Sequence, residues 1–162
     1  MGLQMEISLP KALIGPYRCA GRSIRFLDAY IAPLFTLALR LYLAEIFFRA
    51  GWLKISAWSS TLDLFNYVYQ VPLLPPYLAA VMGTAGELFL PLLLVAGLAG
   101  RFAAASLSLV NLMAAISFPD ISELGLHDHT LWGVLLAVIF FHGPGRFSLD
   151  AWLTRKLSTA TE

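Results

Sequence analysis

Apolar positions in this chain run in long stretches interrupted at wide intervals by single charges. No Asp, Glu, Lys or Arg occurs between Asp63 and Glu87, between Glu87 and Arg101, between Arg101 and Asp120, or between Asp128 and Arg146. A bilayer hydrocarbon core of about 30 Å takes about 20 helical residues. The pattern therefore predicts four membrane-crossing helices: about Ala29–Gly51, Tyr77–Leu98, Phe102–Phe118 and Thr130–Gly143, the last short and able to begin nearer Leu124. These stretches are apolar on both faces and lack the period-two alternation of pore-lining strands. The expected fold class is all-α, an integral membrane four-helix bundle.

The flanking segments are patterned differently. Met1–Pro10 contains Glu6 and only isolated apolar residues, so it does not read as a signal peptide. Over Tyr17–Ile31, Arg18, Arg22 and Arg25 fall on one helical face and Ala20, Ile24, Leu27 and Ile31 on another. That spacing fits an interfacial amphipathic helix and equally a solvated basic face ahead of a span. In the first loop, Ser60 followed by Asp63 resembles a capping box. Leu62, Phe65 and Tyr69 then share a face, so a short helix is expected before Pro72 and Pro75-Pro76 end it. Trp52, Trp58, Tyr67 and Tyr77 suit an aromatic belt. The chain divides into an N-terminal segment (1–28), a transmembrane domain (29–145) and a tail (146–162).

Composition narrows the function classes. The 162 residues are 59% hydrophobic and 13% charged, with a mean hydropathy of +0.74 and a net charge of +1. A soluble domain of this size could not hide so much apolar surface. A nearly neutral chain gives no electrostatic case for nucleic acid. One cysteine, Cys19, excludes an intrachain disulfide and a Cys-based zinc site. Counted by side, Lys11, Arg18, Arg22, Arg25, Arg101, Arg146, Arg155 and Lys156 fall together, while Lys54 faces the other way with Asp63, Asp120, Glu123 and Asp128. The positive-inside rule then puts both termini in the cytoplasm and the two longer loops outside.

Charges inside spans are costly and usually turned inward, so each is a site candidate. The first span holds Arg40, Glu45 and Arg49, and the second holds Glu87. Glu45 and Arg49 are i, i+4 in the favourable order and are expected to pair. At 1.5 Å per residue, Arg40 lies about 16 Å below Gly51, Glu87 about 15 Å below Tyr77, and Asn111 about 12 Å below Phe118. These depths predict an Arg40–Glu87 pair near the midplane with Asn111 beside it. Pro91 removes the hydrogen bond to the Glu87 carbonyl and adds an acceptor there. The cluster reads either as a polar binding pocket or as a pair holding two helices in register. Ala79 with Gly83, and Ala104 with Ser108 and Ala115, provide small surfaces for close packing.

His127, Asp128 and His129 form a weak metal-ligand candidate. On a helix the i, i+2 spacing turns the imidazoles to different faces, whereas an extended loop brings them together. His142 lies about 20 Å along a helix from His129, too far to share one haem with it.

Taken together, these residues resemble the DoxX family of small four-helix membrane proteins. The resemblance is carried by Arg40 in the first span, Gly51 with Lys54 and Trp58 after it, Val71-Pro72, Glu87, Gly97 to Arg101, Gly143-Pro144-Gly145, and Ser148-Leu149-Asp150. Within the family the chain is similar to the subgroup that accompanies DUF692-type and DUF2063-type proteins in bufferin-like operons. Glu45 departs from the pattern, where a small or apolar residue is expected. The resemblance implies a bacterial inner-membrane accessory subunit in a redox- or metal-stress setting. It also implies contact with the lipid bilayer, with other membrane or periplasmic subunits or a second copy, and with quinone as the associated cofactor. An oligomeric transporter or channel for a small solute, peptide or metal ion, working through Glu87, is the alternative. No catalytic constellation is present in the pattern.

Overall fold

A computed structural model describes residues 21–22 and 24–159 of the chain. Among them are six α-helices and no strand: α1 (Ala32–Ser56), α2 (Trp58–Tyr67), α3 (Pro76–Ala96), α4 (Gly100–Ser117), α5 (Glu123–His142) and α6 (Leu149–Ser158). Four helices are long and apolar enough to cross a membrane, the first running as Ile24–Ser56 through a π turn at Leu27–Ile31. The protein is an all-α membrane bundle. The described part of the arginine-bearing segment thus continues into the first span without a break, while Tyr17–Ala20 and Cys19 lie outside the described residues.

One boundary differs from the sequence expectation, and another takes the earlier of its two expected starts. The first span does not stop at Gly51 but carries Lys54 to its last turn before breaking at Ala57 (φ −127°, ψ 58°). The fourth begins at Glu123, because the Ser122 hydroxyl caps it by accepting from the Gly125 N–H at 3.0 Å. The short loop helix is present as α2, yet it starts at Trp58 with no side-chain cap, so Ser60 and Asp63 form no capping box.

Helix α2 takes the place that α1 vacates. Phe65 packs with Ala79 and Ala80 of α3, and the ring end of Phe65 lies 3.7 Å from where a Cβ on Gly83 would stand. The main core sits between α1, α3, α4 and α5, around Leu43, Phe47, Leu94, Ala103, Ala104, Leu107, Leu136 and Ile139. Small residues at 103 and 104 let α4 approach closely, since dispersion between helices in lipid depends on backbone proximity.

One end of the bundle is knotted by side chains. Helix α3 ends in a Schellman turn: Leu98 N–H bonds Leu93 O at 3.1 Å and Gly97 N–H bonds Leu94 O at 3.2 Å, with Gly97 at φ +63°. Asp150 then caps α4, accepting from Ala99 N–H at 2.8 Å and Gly100 N–H at 2.9 Å. Gly100 has no room for a Cβ, which would stand 2.6 Å from Pro144. Ser148 caps α6 by accepting from Ala151 N–H at 3.2 Å. This is the turn end; the opposite, loop end carries α2 and residues 68–75.

Candidate functional site

Arg40 and Glu87 do not pair. Arg40, 1% exposed, sits at the turn end and donates to Leu94 O at 2.8 Å, Val95 O, Pro144 O at 2.7 Å and Phe147 O at 2.7 Å. It adds donors to the last-turn carbonyls of α3, of which Leu94 O also accepts from Gly97 N–H, and ties them to the stretch before α6. The expectation failed because α1 and α3 do not end level. Gly51 already lies against Glu87, a Cβ there meeting Glu87 Cβ at 2.9 Å. Glu87 is itself eleven residues into α3, about 16 Å. Another eleven residues carry Arg40 about 16 Å farther, past the end of α3.

The partner of Glu87 is Lys54. Its ammonium donates to both carboxylate oxygens, at 2.7 and 2.5 Å, with the two side chains 18% and 8% exposed. Gly51, one turn before Lys54, is what lets the two helices approach closely enough for this. The sequence offered a signal for it: Lys54 follows Gly51 at i+3, on the same face of a helix that had only to be extended by five residues.

Asn111 is engaged elsewhere. Its amide donates to His129 O at 2.8 Å and its carbonyl oxygen accepts from His129 Nδ1 at 2.8 Å, bracketing α5 against α4. His129 also meets the Trp132 ring edge-on at 5.0 Å. The metal candidate dissolves for the same reason. His127, Asp128 and His129 lie on α5, where His129 turns inward and His127 stays exposed. Among the described residues no three His, Cys, Asp or Glu side chains gather to hold a metal.

The other singled-out residues have definite places. Trp58 packs against the Phe65 cluster, Arg101 reaches Phe141 O at 3.5 Å, and Asp150 caps α4. Glu45 and Arg49 do pair, at 3.5 Å, but on the outside of the bundle.

A recess of about 190 Å³ opens beside the Lys54–Glu87 pair. Its base is Lys54, Glu87 and Tyr69, and its walls include Phe65, Gly83 and Ser117. Its mouth lies between α3 and α4, where Met82 and Leu109 are 54% and 60% exposed. The opening therefore faces the lipid side of two spans. The Tyr69 ring is wedged edge-on between Phe65 at 4.9 Å and Phe118 at 5.6 Å. A backbone bond from Gln70 N–H to Ser117 O, 2.8 Å long, holds the Tyr69 loop there. Burial first, and the Glu87 carboxylate second, push the Tyr69 phenol above its ordinary value, so it remains a donor at neutral pH. The Ser117 hydroxyl is buried on the wall with no hydrogen-bond partner among the described residues. Sequence reasoning overlooked Tyr69 and Ser117, which are ordinary interfacial residues until the loop folds over them.

The turn-end knot accounts for much of the resemblance motif: Arg40, Gly97, Gly100, Pro144, Ser148 and Asp150 all contribute to it. No curated protein and no solved structure matches the chain. The family model for DoxX matches residues 35–120, more than half of the 162 residues, and takes in Arg40, Gly51, Lys54 and Glu87. With its four apolar helices, this chain belongs to the DoxX family.

Proposed function

We propose that this protein is a non-catalytic accessory subunit of a bacterial inner membrane, with the turn end cytoplasmic, and that it holds a quinone-like lipid head in the recess beside Lys54 and Glu87. The observation that carries the reading is the recess itself. It is largely apolar, opens toward lipid between α3 and α4, and offers Lys54, Tyr69 and Ser117 as hydrogen-bond donors. A head group with carbonyl acceptors on an apolar ring fits such a lining, since few polar groups fix orientation while apolar walls supply affinity. The redox- or metal-stress setting and the membrane or periplasmic partners follow from the family resemblance.

Lipid extraction from the purified protein tests the reading. Quinone is expected to be enriched over bulk membrane in wild type and reduced to background in Ala114→Phe, which fills the recess while leaving the residues Lys54 and Glu87 in place. Equal quinone in wild type, Ala114→Phe and Glu87→Ala overturns it. The transporter alternative requires an available carboxylate at Glu87, which Lys54 occupies. Liposome flux that falls in Glu87→Gln would restore that alternative.

A further inference from the structure

The Glu45–Arg49 pair is a charged feature of the spans that the bundle does not absorb. The two side chains are 66% and 79% exposed and touch on the outer face of α1. Their depth follows from what α1 packs against. Gly51 lies against Glu87 and Leu88, and Glu45 shares a shallow groove with Pro91, Leu92 and Val95. Glu45 therefore lies about 4 Å and Arg49 about 10 Å inside the α3 terminus at Ala96, within the apolar length of the span. Facing lipid there, an ion pair loses hydration and finds no other partner. Intramembrane charges instead face protein or water.

The residues around the pair form a seam. Leu41, Glu45, Phe48, Trp52 and Ile55 follow one another at intervals of four, three, four and three, which keeps them on one face of α1. Leu41, Trp52 and Ile55 are about half exposed or more, and Phe48 stacks on Trp52 with the rings 6.4 Å apart and 16° from parallel. This face is apolar except at the ion pair, and it carries one charge of each sign.

We propose that this face of α1 is the interface of a homodimer, with two copies related by a two-fold axis along the membrane normal. Charge complementarity selects a second copy as the occupant. Copies inserted in the same direction bring the two Glu45 side chains to one level and the two Arg49 side chains to a level about 6 Å away, so each long Arg49 side chain reaches diagonally to the Glu45 of the other chain as well as to its own. The four charges then close into a neutral group shielded by Leu41 and Trp52. A different protein would have to bring an ion pair at this same level. The isologous contact requires only the pattern α1 already has.

Cross-linking in native membranes tests this. In a Cys19→Ser background, single cysteines at Leu41 and Trp52 on the seam are expected to give a covalent product of twice the 17.8 kDa chain. A cysteine at Leu109, on the α4 face, is expected to give none. Glu45→Arg places like charges together and should lower the seam cross-link at least tenfold. The double exchange Glu45→Arg with Arg49→Glu should restore it, which separates lost pairing from lost folding. Equal cross-linking at Leu41 and Leu109, no product at either seam position, or a product with a different polypeptide each overturn the proposal. So does a double exchange that stays as low as Glu45→Arg.

Discussion

Lys54→Met leaves a length-matched apolar side chain and strands the Glu87 carboxylate. At the N–O separations of 2.7 and 2.5 Å and an effective dielectric of about 20, the gross attraction is about 6 kcal/mol. Desolvating both groups offsets most of that, so the pair itself adds little net stability. Removing one member is different, because the 8% exposed Glu87 then keeps its desolvation cost with nothing to balance it. Breaking a buried pair in this way costs about 3–5 kcal/mol. Replacing both, as Lys54→Met with Glu87→Leu, should cost less than either single change and fall within about 1 kcal/mol of wild type. The assay is reversible unfolding in mixed micelles, titrated with a denaturing detergent and followed by far-ultraviolet circular dichroism and tryptophan fluorescence at neutral pH. A Lys54→Met loss below about 1 kcal/mol, or additive single and double changes, would refute the reasoning, since either shows that the carboxylate does not depend on its partner.

Three further outcomes follow from the same geometry. Arg40→Lys keeps the charge but gathers its donors at one point, so it cannot serve carbonyls on both α3 and the 144–147 stretch; a loss of about 2–4 kcal/mol in the same unfolding assay is expected. Gly51→Ala puts a Cβ 2.9 Å from Glu87 Cβ and 3.0 Å from its carbonyl carbon, overpacking α1 on α3 by about 1–3 kcal/mol; stability equal to wild type would contradict the close approach. The Tyr69 phenol titrates higher folded than unfolded, so above about pH 10 the folded state binds more protons and stability falls as pH rises. Tyr69→Phe should flatten that alkaline decline, measured as unfolding midpoint against pH.

The bilayer's demand for long apolar helices made the number and order of the spans readable from charge-free gaps alone. Depth was not readable in the same way. Counting from Gly51 and Tyr77 assumed that both helices reach one plane, whereas α1 breaks at Ala57 and α2 continues on the loop side. That single break reassigns Glu87 from Arg40 to Lys54. The i, i+4 pairing of Glu45 with Arg49 was legible because it is local; its position outside the bundle was not, since α1 is apolar all round and its outer face is known only by exposure once α3 and α5 are in place. Depth alone put Asn111 beside the Arg40–Glu87 pair, whereas the Ser122 cap starts α5 early enough to put His129 in the helix beside it.

The two ends of the molecule are fastened unequally. At the turn end, Arg40 and Asp150 join α1, the α3–α4 turn and the start of α6 through side-chain bonds to backbone. At the loop end, α2 is hinged at Ala57 and its loop is held by the Gln70–Ser117 bond and by the edges of Phe65, Tyr69 and Phe118. The bundle is thus closed by side-chain bonds to backbone at the turn end, and over the loop end by ring edges with a single backbone bond. The recess lies at the loop end. Its cover is therefore aromatic and local, so a change confined to residues 68–75 reshapes the recess while leaving the turn-end knot as it is.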